Sequence, residues 1–119
     1  MANFVTLCEE GNLANVIAAV ERGVDVNSVD SIGLSGLMGA VNNSHNHVTE
    51  YLLQQPAIDV SRKNSWGKTA LHYAVVGNNT GGLSLLLAHP TADPTVRDDD
   101  GRTPLEYCRW GTGRQGETW

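Results

Sequence analysis

The sequence holds two cysteines, one phenylalanine and four prolines in 119 residues, and aromatic side chains make up only 6% of it. Cys8 and Cys108 stand a hundred positions apart. Neither has a CxxC or Cys/His spacing around it, which excludes a disulfide framework and a cysteine-based zinc site. Basic residues are scarce in one half. Residues 1–59 carry seven acids against Arg22 alone, a balance of −6, whereas residues 60–119 carry six acids and seven bases, a balance of +1. Phosphate contacts and counterion release supply most nucleic-acid affinity, so this charge pattern argues against a nucleic-acid partner. No apolar run approaches the roughly 18 residues of a membrane span. Met1-Ala2-Asn3-Phe4 lacks the basic start and apolar stretch of a secretory signal. The expectation is a protein of the cytoplasm, with the nucleus as the second compartment, and no membrane partner.

Glycine is plentiful, 13 in 119 or about 11%, against a usual value of about 7%. Its placement is periodic. Three segments align on Gly33, Gly67 and Gly101, each 34 residues from the next: Asp30-Ser31-Ile32-Gly33-Leu34-Ser35-Gly36-Leu37, Asn64-Ser65-Trp66-Gly67-Lys68-Thr69-Ala70-Leu71, and Asp98-Asp99-Asp100-Gly101-Arg102-Thr103-Pro104-Leu105. An Asx residue three positions before glycine marks a tight turn, because the Asx side chain bonds the backbone and glycine accepts positive φ. Ser35, Thr69 and Thr103 follow where a hydroxyl caps a starting helix. Thr103-Pro104-Leu105-Glu106 adds the capping-box spacing and a proline at the first helical position. Leu71, Ala74 and Val75 recur at i, i+3 and i+4, the spacing of one buried stripe. A second apolar block, Val48–Leu53 and then Leu83–Leu87, closes the first two units, and Pro56 and Pro90 end those blocks. Fixed-period self-similarity of this kind predicts stacked units, each a turn and two short helices.

These residues resemble the ankyrin-repeat family. The resemblance rests on Asn64-x-x-Gly67-x-Thr69-x-Leu71-His72-x-Ala74, on Asp98-x-x-Gly101-x-Thr103-Pro104-Leu105, and on the loop Gly23-Val24-Asp25-Val26-Asn27. It covers about residues 4–110. It implies an all-α solenoid of stacked helix-turn-helix pairs with β-hairpin-like turns. The expected units are an N-terminal capping repeat over 1–29, repeats over 30–63 and 64–97, and a truncated last repeat over 98–110, followed by a flexible tail over 111–119. One extra residue in each of the loops around Pro56 and Pro90 lengthens the family's period of about 33 to 34. Ser35-Gly36-Leu37-Met38 departs from the family's T-P-L-H, so that helix is expected to be the loosest. Gly36 and Gly39 there each cost about 1 kcal/mol relative to alanine. Glu9, Glu10, Asn12, Asn15, Glu21 and Arg22 fit the polar outer face that a terminal repeat needs. Trp110 is expected to cover part of the open end of the last repeat.

No catalytic constellation emerges. Gly111-x-Gly113-x-x-Gly116 matches a dinucleotide-binding fingerprint, but that motif works only between a strand and a helix that receives the pyrophosphate, and only three residues follow it here. His45 and His47 fall on different helix faces without convergent partners, so no metal site is expected. His89 reads as loop surface. In the resembled family the histidine at the position of His72 bonds neighbouring turns, which makes it structural here. Cys8 and Cys108 lie among apolar neighbours and read as small buried hydrophobes. Asp98 forms a turn, and Asp98-Asp99-Asp100 reads as a solvated acidic tip. The resemblance makes Asn27 a candidate for asparagine hydroxylation. Glu117-Thr118-Trp119 is a minor candidate for a carboxyl-terminal ligand of a partner domain.

The remaining signal is surface. The resemblance implies a non-catalytic module without cofactors, a monomer that binds another protein through a groove of turn tips and first helices. The tips carry Ser31, Ile32 and Leu34, then Ser65, Trp66 and Lys68, then Asp99, Asp100 and Arg102. The helical side carries Glu9, Glu10, Asn42, Asn43, Val76 and Trp110. Trp66, with Ile32 and Leu34 on the preceding tip, is the expected anchor, because tryptophan is enriched at interface hot spots. The alternative is an architectural segment of a longer repeat array in a multidomain protein.

Overall fold

A computed structural model describes residues 3–110, with side chains up to Tyr107. Among these residues the chain forms seven short helices: α1 (Phe4–Glu10), α2 (Leu13–Glu21), α3 (Gly36–Asn42), α4 (Asn46–Leu53), α5 (Ala70–Val76), α6 (Thr80–Leu87) and α7 (Pro104–Trp110). Antiparallel pairing among the described residues is confined to the Val29–Ser35 bridge at the neck of the first turn. The helices stand in two layers. The first helices stack in the order α1, α3, α5, α7, and the second helices in the order α2, α4, α6. Helices of seven to nine residues are too short to persist alone in water, so this stacking holds them.

The helix starts have local causes. Asn3 caps α1 by accepting from Thr6 N–H, and Ser35 Oγ accepts from Met38 N–H at 3.2 Å at the head of α3. Thr103 N–H donates to Glu106 Oε1 at 2.9 Å, which is the reciprocal half of the capping box in α7. α4 and α6 end at Leu53 and Leu87, three residues before Pro56 and Pro90.

α3 departs from the expectation of a loose helix. Every residue from Gly36 to Val41 is buried. A Cβ on Gly36 would lie 2.7 Å from Cys8 Sγ and 3.1 Å from Phe4 Cε2, so this glycine is a spacer that lets α1 approach. Its weak helix propensity is offset by burial that the close approach permits. The core runs the length of the stack through Phe4, Cys8, Val16, Leu37, Met38, Val41, Val48, Leu52, Leu71, Ala74 and Leu86.

Candidate functional site

The three turns are built alike. Asp30 Oδ1 accepts from the N–H groups of Ile32 and Leu34, Asn64 Oδ1 from those of Trp66 and Lys68, and Asp98 Oδ1 from those of Asp100 and Arg102, all at 2.9–3.0 Å. Gly33, Gly67 and Gly101 take φ of 77°, 74° and 77°, the left-handed region that glycine enters without strain. Neighbouring turns are bonded to each other. Ser65 N–H donates to Ile32 O and Asp99 N–H to Trp66 O, both at 2.9 Å, so the tips form one continuous edge.

Along that edge Ile32 is 39% and Trp66 49% exposed, and Ser31, Ser65, Asp99, Asp100 and Arg102 are exposed beside them. Ile32, Trp66 and Asp100 occupy the same position in successive turns. Two residues expected at the tips are placed differently. Leu34 is half-buried and packs on the core. Lys68 points along the stack, and its Nζ donates to Asp98 Oδ2 at 2.9 Å and to Tyr107 Oη at 3.1 Å, 5.2 Å from the Tyr107 ring centroid. Its charge is matched inside the protein. On the helical side Glu10, Asn42 and Asn43 are exposed, whereas Glu9 and Val76 are half-buried. Asn43 Nδ2 donates to Glu9 O, tying α3 to α1. The side chain of Trp110, the tail over 111–119 and the Glu117-Thr118-Trp119 terminus lie outside the described residues, as does the side chain of Cys108.

Sequence reasoning passed over Val29, which is 37% exposed at the neck of the first turn. Its repeat equivalents are Lys63 and Arg97, both exposed. Surface residues at the same position in the other units were the signal that Val29 also faces water.

Asp98, Lys68 and Tyr107 form a polar cluster linking two turns. Burial alone would raise the Asp98 carboxyl. Hydrogen bonds from Tyr107 Oη, Lys68 Nζ and the Arg102 N–H outweigh burial and hold it well below the usual carboxylate range. Burial likewise opposes the charge on Lys68, but bonds to Asp98 and Tyr107 raise its pKa. The same position in the preceding turn holds Asn64, whose Nδ2 donates to Tyr73 Oη at 2.6 Å.

His72 is fully buried, and its tautomer follows from its partners. Thr69 N–H donates to Nδ1 at 3.0 Å, so Nδ1 is the acceptor and Nε2–H donates to Arg102 O at 2.9 Å. Burial is the main reason its pKa is lowered. Nδ1 thus closes the capping box of α5, and Nε2 joins the helix to the next turn. Asn27 likewise links successive units, joining the loop after α2 to the loop after α4: its Nδ2 donates to Ala57 O at 2.7 Å and its Oδ1 accepts from Asp59 N–H at 2.8 Å.

Cys8 is buried, and burial followed by the charge of Glu9 pushes its thiol up to about 12, far from a reactive thiolate. Among the described residues no three His, Cys, Asp or Glu side chains converge as metal ligands.

The fold and its edge define a solenoid of stacked helix pairs joined by bonded turns. A family model described as ankyrin repeats (3 copies) matches residues 4–98. The chain belongs to the ankyrin-repeat family. Ankyrin repeats are in general non-catalytic protein–protein interaction modules. A search of curated proteins finds no match to the chain.

Proposed function

We propose that this chain is a non-catalytic module that binds a partner protein across its turn edge, with Trp66 and Ile32 as apolar anchors. The observation that carries this reading is the pairing of two large exposed apolar side chains on consecutive turns whose backbones are bonded to each other. Tips held by Asx side chains and inter-turn bonds are preorganised, so little ordering cost opposes binding. Trp66 has the area of a hot-spot anchor. Ser31, Ser65, Asp99, Asp100 and Arg102 form a polar rim, and Glu10 adds acid on the helical side. With Lys68 neutralised by Asp98, the exposed balance of the edge favours partners with a basic or mixed face. Neither nucleic acid nor a lipid surface suits it, and a monomer in the cytoplasm is the form proposed.

The test compares proteins captured from cell lysate by the wild-type chain and by an Ile32→Ala/Trp66→Ala variant, with circular dichroism to check the fold. Loss of specific partners is expected, and for a purified partner Trp66→Ala alone should weaken binding by more than about 2 kcal/mol. An identical captured set, or an unchanged dissociation constant, rejects the reading.

A further inference from the structure

Ser65 is the one serine or threonine in the sequence with two Lys or Arg residues among the three positions before it, Arg62 and Lys63 in Arg62-Lys63-Asn64-Ser65-Trp66. The repeat supplies its own controls. Ser31, the equivalent in the preceding turn, follows Ser28-Val29-Asp30 and has no base before it, and the equivalent in the third turn is Asp99, which has no hydroxyl. Thr69 and Thr103 each follow a single base within that window, and both hydroxyls are already engaged, with His72 Nδ1 at 3.0 Å and with Glu106 Oε1 at 3.2 Å.

The structure sets this segment at the surface. Arg62, Lys63, Ser65 and Trp66 are all exposed, while Asn64 between them is buried and holds the turn. Arg62, Lys63 and Asn64 belong to no helix or turn, and they form the arm that enters the tip, where Asn64 N–H donates to Lys68 O at 3.0 Å. In the next arm Arg97 is engaged by Gly101 O and Glu106, but among the described residues neither Arg62 nor Lys63 has an ion pair. The Ser65 N–H is bonded to Ile32 O at 2.9 Å, and among the described residues its hydroxyl has no partner.

We propose that Ser65 is a phosphorylation site for a protein serine kinase with an acidic substrate groove. Such a groove reads cations ahead of the acceptor, and Arg62 and Lys63 offer a guanidinium and an ammonium three and two positions before it. Trp66 follows with an apolar surface. In the transfer Ser65 Oγ attacks the γ-phosphorus of ATP. The Oγ–P bond forms, the bond from that phosphorus to the β,γ-bridging oxygen breaks, ADP leaves, and the hydroxyl proton passes to a carboxylate base of the kinase. The product carries about −1.5 to −2 charge next to Trp66. Asp99 lies alongside, its N–H on Trp66 O and its Oδ1 2.6 Å from where a Cβ on Gly67 would stand, so the phosphate joins the acids of the third tip. The consequence rests on the reading of the Trp66 edge as a partner site: phosphorylation tunes that edge further toward a basic partner face.

The test incubates the purified chain with magnesium ATP and the catalytic subunit of cyclic-AMP-dependent protein kinase, a kinase that reads basic residues, beside a synthetic peptide copying residues 59–69. Incorporation of one phosphate, read by intact mass and placed on Ser65 by fragmentation, is expected for both. Arg62→Ala/Lys63→Ala, an exposed double change checked by circular dichroism, should lower kcat/KM for the folded chain by about tenfold, and Ser65→Ala should abolish incorporation. Phosphate on the peptide but not on the folded chain, phosphate on another residue, or a rate indifferent to Arg62 and Lys63 overturns the proposal. For a purified basic partner of the edge, the phosphorylated chain should bind about threefold tighter at low salt. An unchanged dissociation constant overturns the regulation and leaves the modification standing. The capture with Ile32→Ala/Trp66→Ala uses unphosphorylated chains, so the partner reading stands or fails apart from these results.

Discussion

His72 and Arg102 are joined across a repeat boundary. The buried imidazole donates from Nε2 to the Arg102 carbonyl at 2.9 Å while its Nδ1 accepts from Thr69 N–H. A second proton on Nδ1 would set N–H against N–H, so the folded protein keeps the ring neutral. The His72 pKa is lowered, chiefly by burial, from its ordinary value of 6.5. An unfolded chain thus binds a proton that the folded chain refuses. Stability from this residue is complete above pH 6.5 and is lost as pH falls below it, by up to about 1.4 kcal/mol per pH unit. Urea unfolding of the wild type at pH 7.5 and 5.5 should show the loss, and a His72→Gln variant should be less stable at pH 7.5 but lose less on acidification.

Asp98 and Lys68 form a second link between turns, with Asp98 fully buried and Lys68 only partly so. Asp98→Asn keeps the acceptor for the two turn N–H groups, as Asn64 shows, but leaves Lys68 without its carboxylate. Each single change, Asp98→Asn or Lys68→Met, is expected to destabilise. The double variant should be more stable than the sum of the two predicts, with a coupling of about 1–2 kcal/mol read from denaturant unfolding. Because Asp98 sits well below its ordinary pKa, its share of stability is present above pH 4 and declines only in stronger acid, which separates its window from that of His72.

Two glycines in α3 should answer differently to alanine. At Gly36 the new methyl would meet Cys8 Sγ at 2.7 Å inside the core, and the variant should lose about 1–3 kcal/mol. At Gly39 it would meet Glu9 Cγ at 2.6 Å, part of a half-exposed flexible side chain that can swing aside. There the gain in helix propensity, about 1 kcal/mol, should dominate. Thermal unfolding of both variants checks the opposite signs, and adding Cys8→Ala to Gly36→Ala should restore part of the loss.

Cys8 should resist alkylation in the folded state. With the thiol pushed up to about 12 and the side chain buried, iodoacetamide at pH 8 is expected to label it only as fast as the protein opens. Peptide mass spectrometry with and without denaturant would check this, and rapid native labelling of Cys8 would contradict it.

Much of the architecture was legible because its causes are local. Asp30, Asn64 and Asp98 bond N–H groups two and four residues away, Ser35 caps a helix three residues on, and Gly33 needs positive φ whatever lies around it. Such short-range geometry repeats wherever the letters repeat. Lys68 was legible as a residue of a turn but not as a partner of Asp98, because the bond spans 30 positions and depends on how two turns stack. Leu34 shares its turn with Ile32, yet it lies against the core while Ile32 meets solvent.

By itself, then, the sequence determined the period, the turns, the helix starts and the family, all of which follow from backbone conformations set within four or five residues. Only the tertiary structure decided that Gly36 is a spacer, that Lys68 is an internal counter-ion, and that Trp66 stands on an edge bonded to the next turn. Those outcomes depend on which surfaces meet about one repeat apart, and the burial and pairing they impose come from neighbours that no local pattern names.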